Sequence, residues 1–228
     1  MLILAFECSN SQLAVAILRE NKLLSQEIIE DGFSHSELLV FTISNILQKN
    51  NLHFDDLDLV VVGNGPSSFT ALRVALTVAK IINISCLKPI VTVNKCEQLA
   101  FYLKNNLKLF EINKKELYLT TIVNTANQEI FIAKYSLKNN QLTCEENPRL
   151  SSIDEVLSEG KNTANLLLFD QKDLHQKFIN NFPKKIFLIN NNPFHLGLFG
   201  FEKYQQFGES KEISPIYLIE PKISQRKG

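Results

Sequence analysis

The stretch that most constrains this chain is LDLVVVGNGPSSFTALR, residues 57–73. Successive leucines and valines leave a strand here with no polar face, so it belongs in the middle of a sheet covered on both sides. The run breaks into Gly, Asn, Pro and Ser, which turn a chain for distinct reasons, and an apolar helical pattern follows at once. The pattern predicts a buried strand over 57–65, a tight turn, and a helix over 66–87. Such a unit is the building block of a layered α/β domain.

The flanking sequence extends that reading. LILAF at 2–6 reads as a short apolar strand, and 13–19 and 23–29 form a hairpin around ENK. Ser34 and Glu37 have capping-box spacing, and Leu39, Ile43, Ile46 and Leu47 recur at helical spacing, which predicts a helix over 34–50. PIVTV at 89–93 is another buried strand and KCEQLAFYLKNNL a helix. A second set follows: ELYLTTIVNT, QEIFIAKYSL and QLTCEEN as strands, SIDEVLSEG a helix, ANLLLFD a strand, LHQKFINNF a helix and KIFLI a strand. PFHLGLFGFEKYQQFG reads as helical despite its two glycines, and the end, ISPIYLIEPKISQRKG, as strand-like, then basic and frayed. No short-period repeat stands out. Asn- and Lys-rich connectors near 103–116 suggest two subdomains, 1–103 and 104–228, with the C-terminal strand returning to the first.

Lys plus Arg and Asp plus Glu number 24 each, and 45% of the residues are hydrophobic. That composition describes a packed globular protein and excludes a strongly basic nucleic-acid binder working alone, so any RNA contact is local or supplied by a partner. MLILAF lacks a basic flank and runs into Glu7, so it reads as a strand rather than a signal. The apolar stretch 69–87 is interrupted by Arg73, Lys80 and Asn83, which makes it a poor membrane span. Cys8, Cys86, Cys96 and Cys144 form no CxxC pair and are expected as reduced, buried thiols of a cytosolic protein. His35, His53, His175 and His195 are dispersed, with no sequence-local metal site.

Three places could carry chemistry. Gly63 and Gly65 permit unusual backbone geometry around Asn64, Pro66 suits a first helical position, and Ser67, Ser68 and Thr70 would offer hydroxyls beside free N–H groups to an anion. The stretch is neither a Walker A loop nor GxGxxG, and the same residues equally describe a capped turn that binds nothing. Glu7 ends the first strand, where it can hold a hydrated Mg²⁺ or simply mark the sheet rim. The helices over 34–50 and 66–87 are apolar nearly all round, with Leu38, Leu39, Val40, Phe41 and Ile43 on the first and Ala71, Ala75 and Ala79 on the second. They line either a thick core or a helical protein–protein interface. His35 is a helix-start residue or a functional imidazole.

The run GNGPSSFTALR resembles the G-x-G-P-G-S-F-T-G-[LVI]-R motif of the bacterial TsaB (YeaZ) family, of the actin-like ASKHA superfamily. LILAFECSN, SHSELL, NQEIFIAKY and SPIYL match the family's further signatures in order, across nearly the whole chain. The sequence departs at Ser67 and Ala71, where the motif has glycine, and at Glu7, where it has Asp. Asn124, Thr125 and Ala126 stand for Asp-Ala-Arg, and Ile219 for an Arg. The resemblance implies two ribonuclease-H-like α/β subdomains with mixed sheets flanked by helices. It implies a non-catalytic cytoplasmic platform in synthesis of tRNA N6-threonylcarbamoyladenosine, with no metal and no cofactor of its own, leaving room for ADP or ATP at a partner contact. The implied partners are a TsaD-like paralogue and a TsaE-like ATPase. Alone, the chain would form a homodimer through its N-terminal helices; tRNA would be met only indirectly, and no membrane. Helical spacing and resemblance together put the partner surface at His35, Leu38, Leu39 and Phe41, with Phe69, Leu72, Arg73, Leu76 and Lys80. The rival readings are an active ASKHA nucleotide-binding enzyme using Glu7 and the 63–70 turn, and a glycopeptidase-like hydrolase.

Overall fold

The computed structural model describes residues 1–8, 12–30, 35–112, 116–125, 129–162, 165–182, 185–189 and 192–216. The first sheet is built from β1 (Leu2–Cys8), β2 (Leu13–Arg19), β3 (Lys22–Ile29), β4 (Leu59–Gly63) and β5 (Ile90–Val93), in the order β3-β2-β1-β4-β5. Helices α1 (His35–Lys49), α2 (Phe69–Cys86) and α3 (Lys95–Asn105) follow β3, β4 and β5 in sequence. All residues of β1 and β4 are buried, as their unbroken apolar sequences require, and these two strands pair in parallel at the centre.

The second sheet repeats the first. Strands β6 (Glu116–Asn124), β7 (Ile130–Lys138), β8 (Gln141–Ser151), β9 (Asn165–Phe169) and β10 (Ile186–Leu188) lie in the order β8-β7-β6-β9-β10. Their helices are α4 (Ile153–Lys161), α5 (Lys172–Ile179) and α6 (Pro193–Phe207). In each sheet three antiparallel strands lead into two parallel ones. The chain is therefore a topological duplication that the sequence does not display as a repeat. Strand β8 runs on past the predicted 141–147 to Ser151 and tolerates Pro148 because it is an edge strand.

The two units exchange their last helices. Helix α3 covers the second sheet, packing Leu99, Ala100 and Leu103 with Leu117, Phe131 and Tyr135. Helix α6 covers the first, where Leu196 and Phe199 meet Ile3, Ala5, Leu18 and Val61. The predicted helix with two glycines depends on both of them. A Cβ on Gly197 would lie 2.5 Å from Leu18 Cδ1, and one on Gly200 2.3 Å from Val61 Cγ1, so the helix axis can sit close to the sheet only without side chains there. The expected boundary at 103–104 falls inside α3. Between the lobes α3 and α6 touch each other: Phe101 stacks on Phe199 at 4.3 Å, Lys104 pairs with Glu202 and Lys203 with Glu97, each at 3.0 Å.

On its other face the first sheet is covered by α1 and α2. Helix α2 is long and apolar enough to cross a membrane by length and composition, but Ala71, Ala75, Leu76, Ala79 and Ile82 form a stripe packed on the sheet. Residues 208–216 form no strand. They run beside β5, with Ser210 N–H donating to Ile90 O at 2.8 Å and Ile216 N–H to Asn64 O at 3.0 Å. The return of the C-terminal segment to the first lobe is thus made by isolated bonds and by Ile213, which packs on the α1–α2 core. Tyr217, Leu218 and Ile219 of the C-terminal signature lie outside the described residues, as do Ser34 of the expected capping box and Ala126.

Candidate functional site in the interlobe cleft

The 63–68 turn is shaped by backbone demands. Gly65 has φ +108°, which L side chains rarely adopt, and the Gly65–Pro66 peptide is cis. A Cβ on Gly63 would lie 2.9 Å from Glu7 Cβ, so this glycine lets the ends of β4 and β1 lie side by side. Ser67 is not among the residues with positive φ, and it replaces a motif glycine without backbone strain. The helix starts later than predicted. Pro66 and Ser67 stay in the turn, and α2 opens at Phe69 because Ser68, in an extended conformation, accepts a hydrogen bond from Ala71 N–H at 3.3 Å as N-cap.

The expected anion-binding set is only partly brought together. Glu7, Gly63, Gly65 and Ser67 surround a crevice that Lys95 also lines, with a free volume of only about 10 Å³, room for about one water against the roughly 300–1,000 Å³ typical of small-molecule sites. Asn64 does not line it; its N–H donates to Val93 O at 3.0 Å and its carbonyl accepts from Ile216. Ser68 is the helix cap, and Thr70 is exposed in the first turn.

The charge at the site comes from residues that sequence reading passed over. Lys95 opens α3, and its N–H donates to Gly65 O at 2.7 Å, which ties it to the turn. Its Nζ lies 3.8 Å from Glu7 Oε1 and 3.9 Å from Asp170 Oδ2. Glu7 belongs to β1 in the first lobe and Asp170 follows β9 in the second, so one ammonium bridges carboxylates of both. The three side chains are 13%, 10% and 3% exposed for Lys95, Glu7 and Asp170. Burial pushes the Asp170 carboxyl up to about 6 against the opposing pull of Lys95 and of the Asn124 N–H. Burial also pulls Lys95 down, but Glu7 and Asp170 outweigh it and the net shift is upward.

Asn124 and Gln171 complete the second-lobe side of this arrangement. Asn124 N–H donates to Asp170 Oδ1 at 3.3 Å, and Gln171 Nε2 donates to Asn124 O at 2.8 Å. A signal for Asp170 existed: β1 and β9 each run an apolar strand into a carboxylate, LILAFE and NLLLFD, and ligand crevices of open α/β sheets lie at strand carboxyl ends. Nothing local marks Lys95 as the partner of both.

The site is a poor match for a triphosphate, because the one lysine of the trio is already engaged by two carboxylates. Thiol chemistry is equally disfavoured: burial, with Glu7 beside it, pushes Cys8 up to about 12, and burial does the same to Cys96. All four cysteines are free; Cys8 and Cys96 are buried as expected, but Cys86 is half-buried and Cys144 exposed on the edge strand β8. Among the described residues no group of three His, Cys, Asp or Glu side chains is placed to hold a metal ion.

The second expected surface, on α1 and α2, divides in two. Leu39 and Leu76 are buried in the core of the first sheet, and Leu72 is buried against Gly65 of the turn, which corrects the assignment of all three to an outer surface. Leu38 and Phe41 point outward, Phe41 being 63% exposed, and Arg73 and Lys80 are exposed. Phe69 is half-buried beneath the Arg73 guanidinium, 3.8 Å from its ring centroid. His35 is the first residue of α1. Val40, Ile81 and Ile84, absent from the expected set, add to the exposed apolar face, Ile84 at 75%. Helices α1 and α2 pack on the first sheet, on each other and, through α2, on the 3-10 turn at Phe54–Asp56.

Two lobes of one topology, joined by exchanged helices, define a duplicated α/β protein whose lobes are bridged by buried charges. The family model described as "TsaD: tRNA N6-adenosine threonylcarbamoyltransferase" matches residues 24–195. The tRNA threonylcarbamoyladenosine biosynthesis protein TsaB of Bacillus subtilis is 29% identical over 182 residues, 78% of this chain and 75% of that protein. Its counterpart from Buchnera aphidicola (subsp. Baizongia pistaciae) is 27% identical over 229 residues, 96% and 98% of the two chains. The solved structure of YeaZ from Pseudomonas aeruginosa superposes with a TM-score of 0.69 at 16% identity, covering 95% of this chain and 99% of that one. The chain belongs to this family, in its TsaB (YeaZ) branch.

Proposed function

We propose that the chain is a non-catalytic accessory subunit of the cytoplasmic machinery that transfers threonylcarbamoyl to adenosine next to the tRNA anticodon. It scaffolds a TsaD-like paralogue through the outer face of α1 and α2. A TsaE-like ATPase joins the pair, and tRNA is met through the partners. Alone, the chain pairs with a second copy through the same helices. It has no cofactor of its own, and any ADP or ATP sits at the partner contact.

The observation that carries this reading is the α1–α2 face, where Phe41, Val40, Ile81 and Ile84 stand exposed beside Arg73 and Lys80. Large apolar side chains left exposed on two neighbouring helices, with charged residues on the same helices, have the composition of a protein interface. The bridged cleft supports the non-catalytic part. Co-purification of the tagged chain with the cell's TsaD-like protein tests it: capture is expected, and the double substitution Arg73→Glu, Lys80→Glu should reduce it. Capture unchanged by that pair of charge reversals would refute this surface, and turnover of Mg-ATP by the isolated chain would refute the non-catalytic assignment.

A further inference from the structure

We propose that the Glu7–Lys95–Asp170 bridge is an interlobe latch, in which the lysine ammonium takes the cationic place at the mouth of the cleft and holds the lobes together without a nucleotide.

The geometry around the bridge gives it mechanical leverage. The lobes are joined along α3 and α6, where Phe101 stacks on Phe199 and Lys104 pairs with Glu202. That contact forms a spine about which the lobes can turn. Lys95 lies at the start of the same α3, at the ends of β1 and β4, and reaches Asp170 at the end of β9. Its backbone is pinned to Gly65 at 2.7 Å, so the turn of the first lobe moves with it. Asp170 is held from the second lobe by the Asn124 N–H at 3.3 Å. A movement that draws Glu7 away from Asp170 must therefore break one of the two contacts of the Lys95 ammonium.

Electrostatics fixes the direction of the effect. With Lys95 in place, two buried carboxylates share one ammonium. Without it, both carboxylates lose the ammonium they share, and removing one partner from a buried ionic group is strongly unfavourable. Replacing the whole group by neutral side chains of similar size removes the repulsion together with the attraction, so closure should return. The same arrangement refuses a magnesium nucleotide, because the dication would have to displace an ammonium already bonded into the fold.

Amide hydrogen exchange on the full chain tests the latch. The reporters are residues 4–8, 62–66, 122–125 and 168–171 at the cleft, with β7 and β8 as reference. Lys95→Met is expected to raise cleft exchange about tenfold and leave the reference amides unchanged. Adding Glu7→Gln and Asp170→Asn to Lys95→Met is expected to bring cleft exchange back toward wild type. Unchanged exchange in Lys95→Met overturns the latch, and so does a triple variant as open as the single one, which would assign the effect to packing of the lysine stem. Should Lys95→Met fail to fold, Lys95→Gln, with a polar end, takes its place in both comparisons. Calorimetry of wild type with Mg-ATP should show no binding heat; saturable binding overturns the refusal of nucleotide. Loss of TsaD capture with the exchange results intact would overturn the proposed function and leave the latch standing.

Discussion

The two lobes share one topology and differ in what their outer helices do. In the first lobe α1 and α2 are 15 and 18 residues long, apolar on two sides, and leave Phe41, Ile81 and Ile84 exposed. In the second, the equivalent α4 and α5 are 9 and 8 residues long, with a single buried stripe each and only Ile153 and Ile179 exposed among their large apolar residues. The second lobe is instead tied by ions: Lys134 bridges Glu146 and Glu159, and Arg149 bridges Glu146 and Glu155. Duplicated topology thus supplies two scaffolds that differ in helix length and outer-face chemistry, and the proposed docking surface lies on the lobe whose helices carry apolar residues beyond the one stripe that covers a sheet.

Four measurements bear on the difference between the lobes. The largest effect is expected where the lobes exchange helices. Gly200→Val would force a side chain into Val61 of the first sheet, and urea denaturation should show a loss of about 3 kcal/mol or more; a wild-type midpoint would mean that α6 does not need its close approach. Next, Phe41→Glu with Ile84→Glu should weaken capture of the TsaD-like protein about a hundredfold, while Ile153→Glu with Ile179→Glu leaves it unchanged. Equal loss from both pairs would erase the distinction between the lobes.

Asp170 gives a smaller effect that depends on pH. Its folded pKa, about 6, lies above the ordinary 3.8 because it is buried. The native state therefore holds a proton that the unfolded chain has released between those values. The stability from this group is fully present below the lower value and is lost as pH rises through about 6. Measured from pH 4 to 7, wild type should lose on the order of 2 kcal/mol more than Asp170→Asn, from about 1.4 kcal/mol per pKa unit; parallel curves would place Asp170 in contact with solvent. The smallest effect belongs to the ion network of the second lobe. Arg149 is 40% exposed on its side chain, so Arg149→Met should cost only about 0.5–1 kcal/mol at low salt and less at high salt. A larger, salt-independent loss would make that network a structural centre comparable to the α1–α2 core.

Much of this was legible in the chain. The order of elements through α3 follows from apolar periodicity, because LVVVG can only be a central strand and ENK only a hairpin turn. The exposed apolar face was legible in kind, since α1 and α2 carry more apolar residues than one stripe can use, but Leu39, Leu72 and Leu76 could not be told from Phe41 and Ile84 by spacing alone. The start of α2 lies three residues beyond the predicted one, because Pro66, Ser67 and Ser68 suit a helix opening as well as a turn.

By itself the sequence determined local events: which runs are strands, where Gly65 must bend the chain, and that two early helices are too apolar for one side. The tertiary structure alone decided the exchange of α3 and α6, the equal topology of the sheets, and the meeting of Glu7, Lys95 and Asp170. The physical reason is range. Periodicity and turn chemistry act between neighbours, whereas a buried ion bridge exists only once sheets from distant parts of the chain have packed and removed its water.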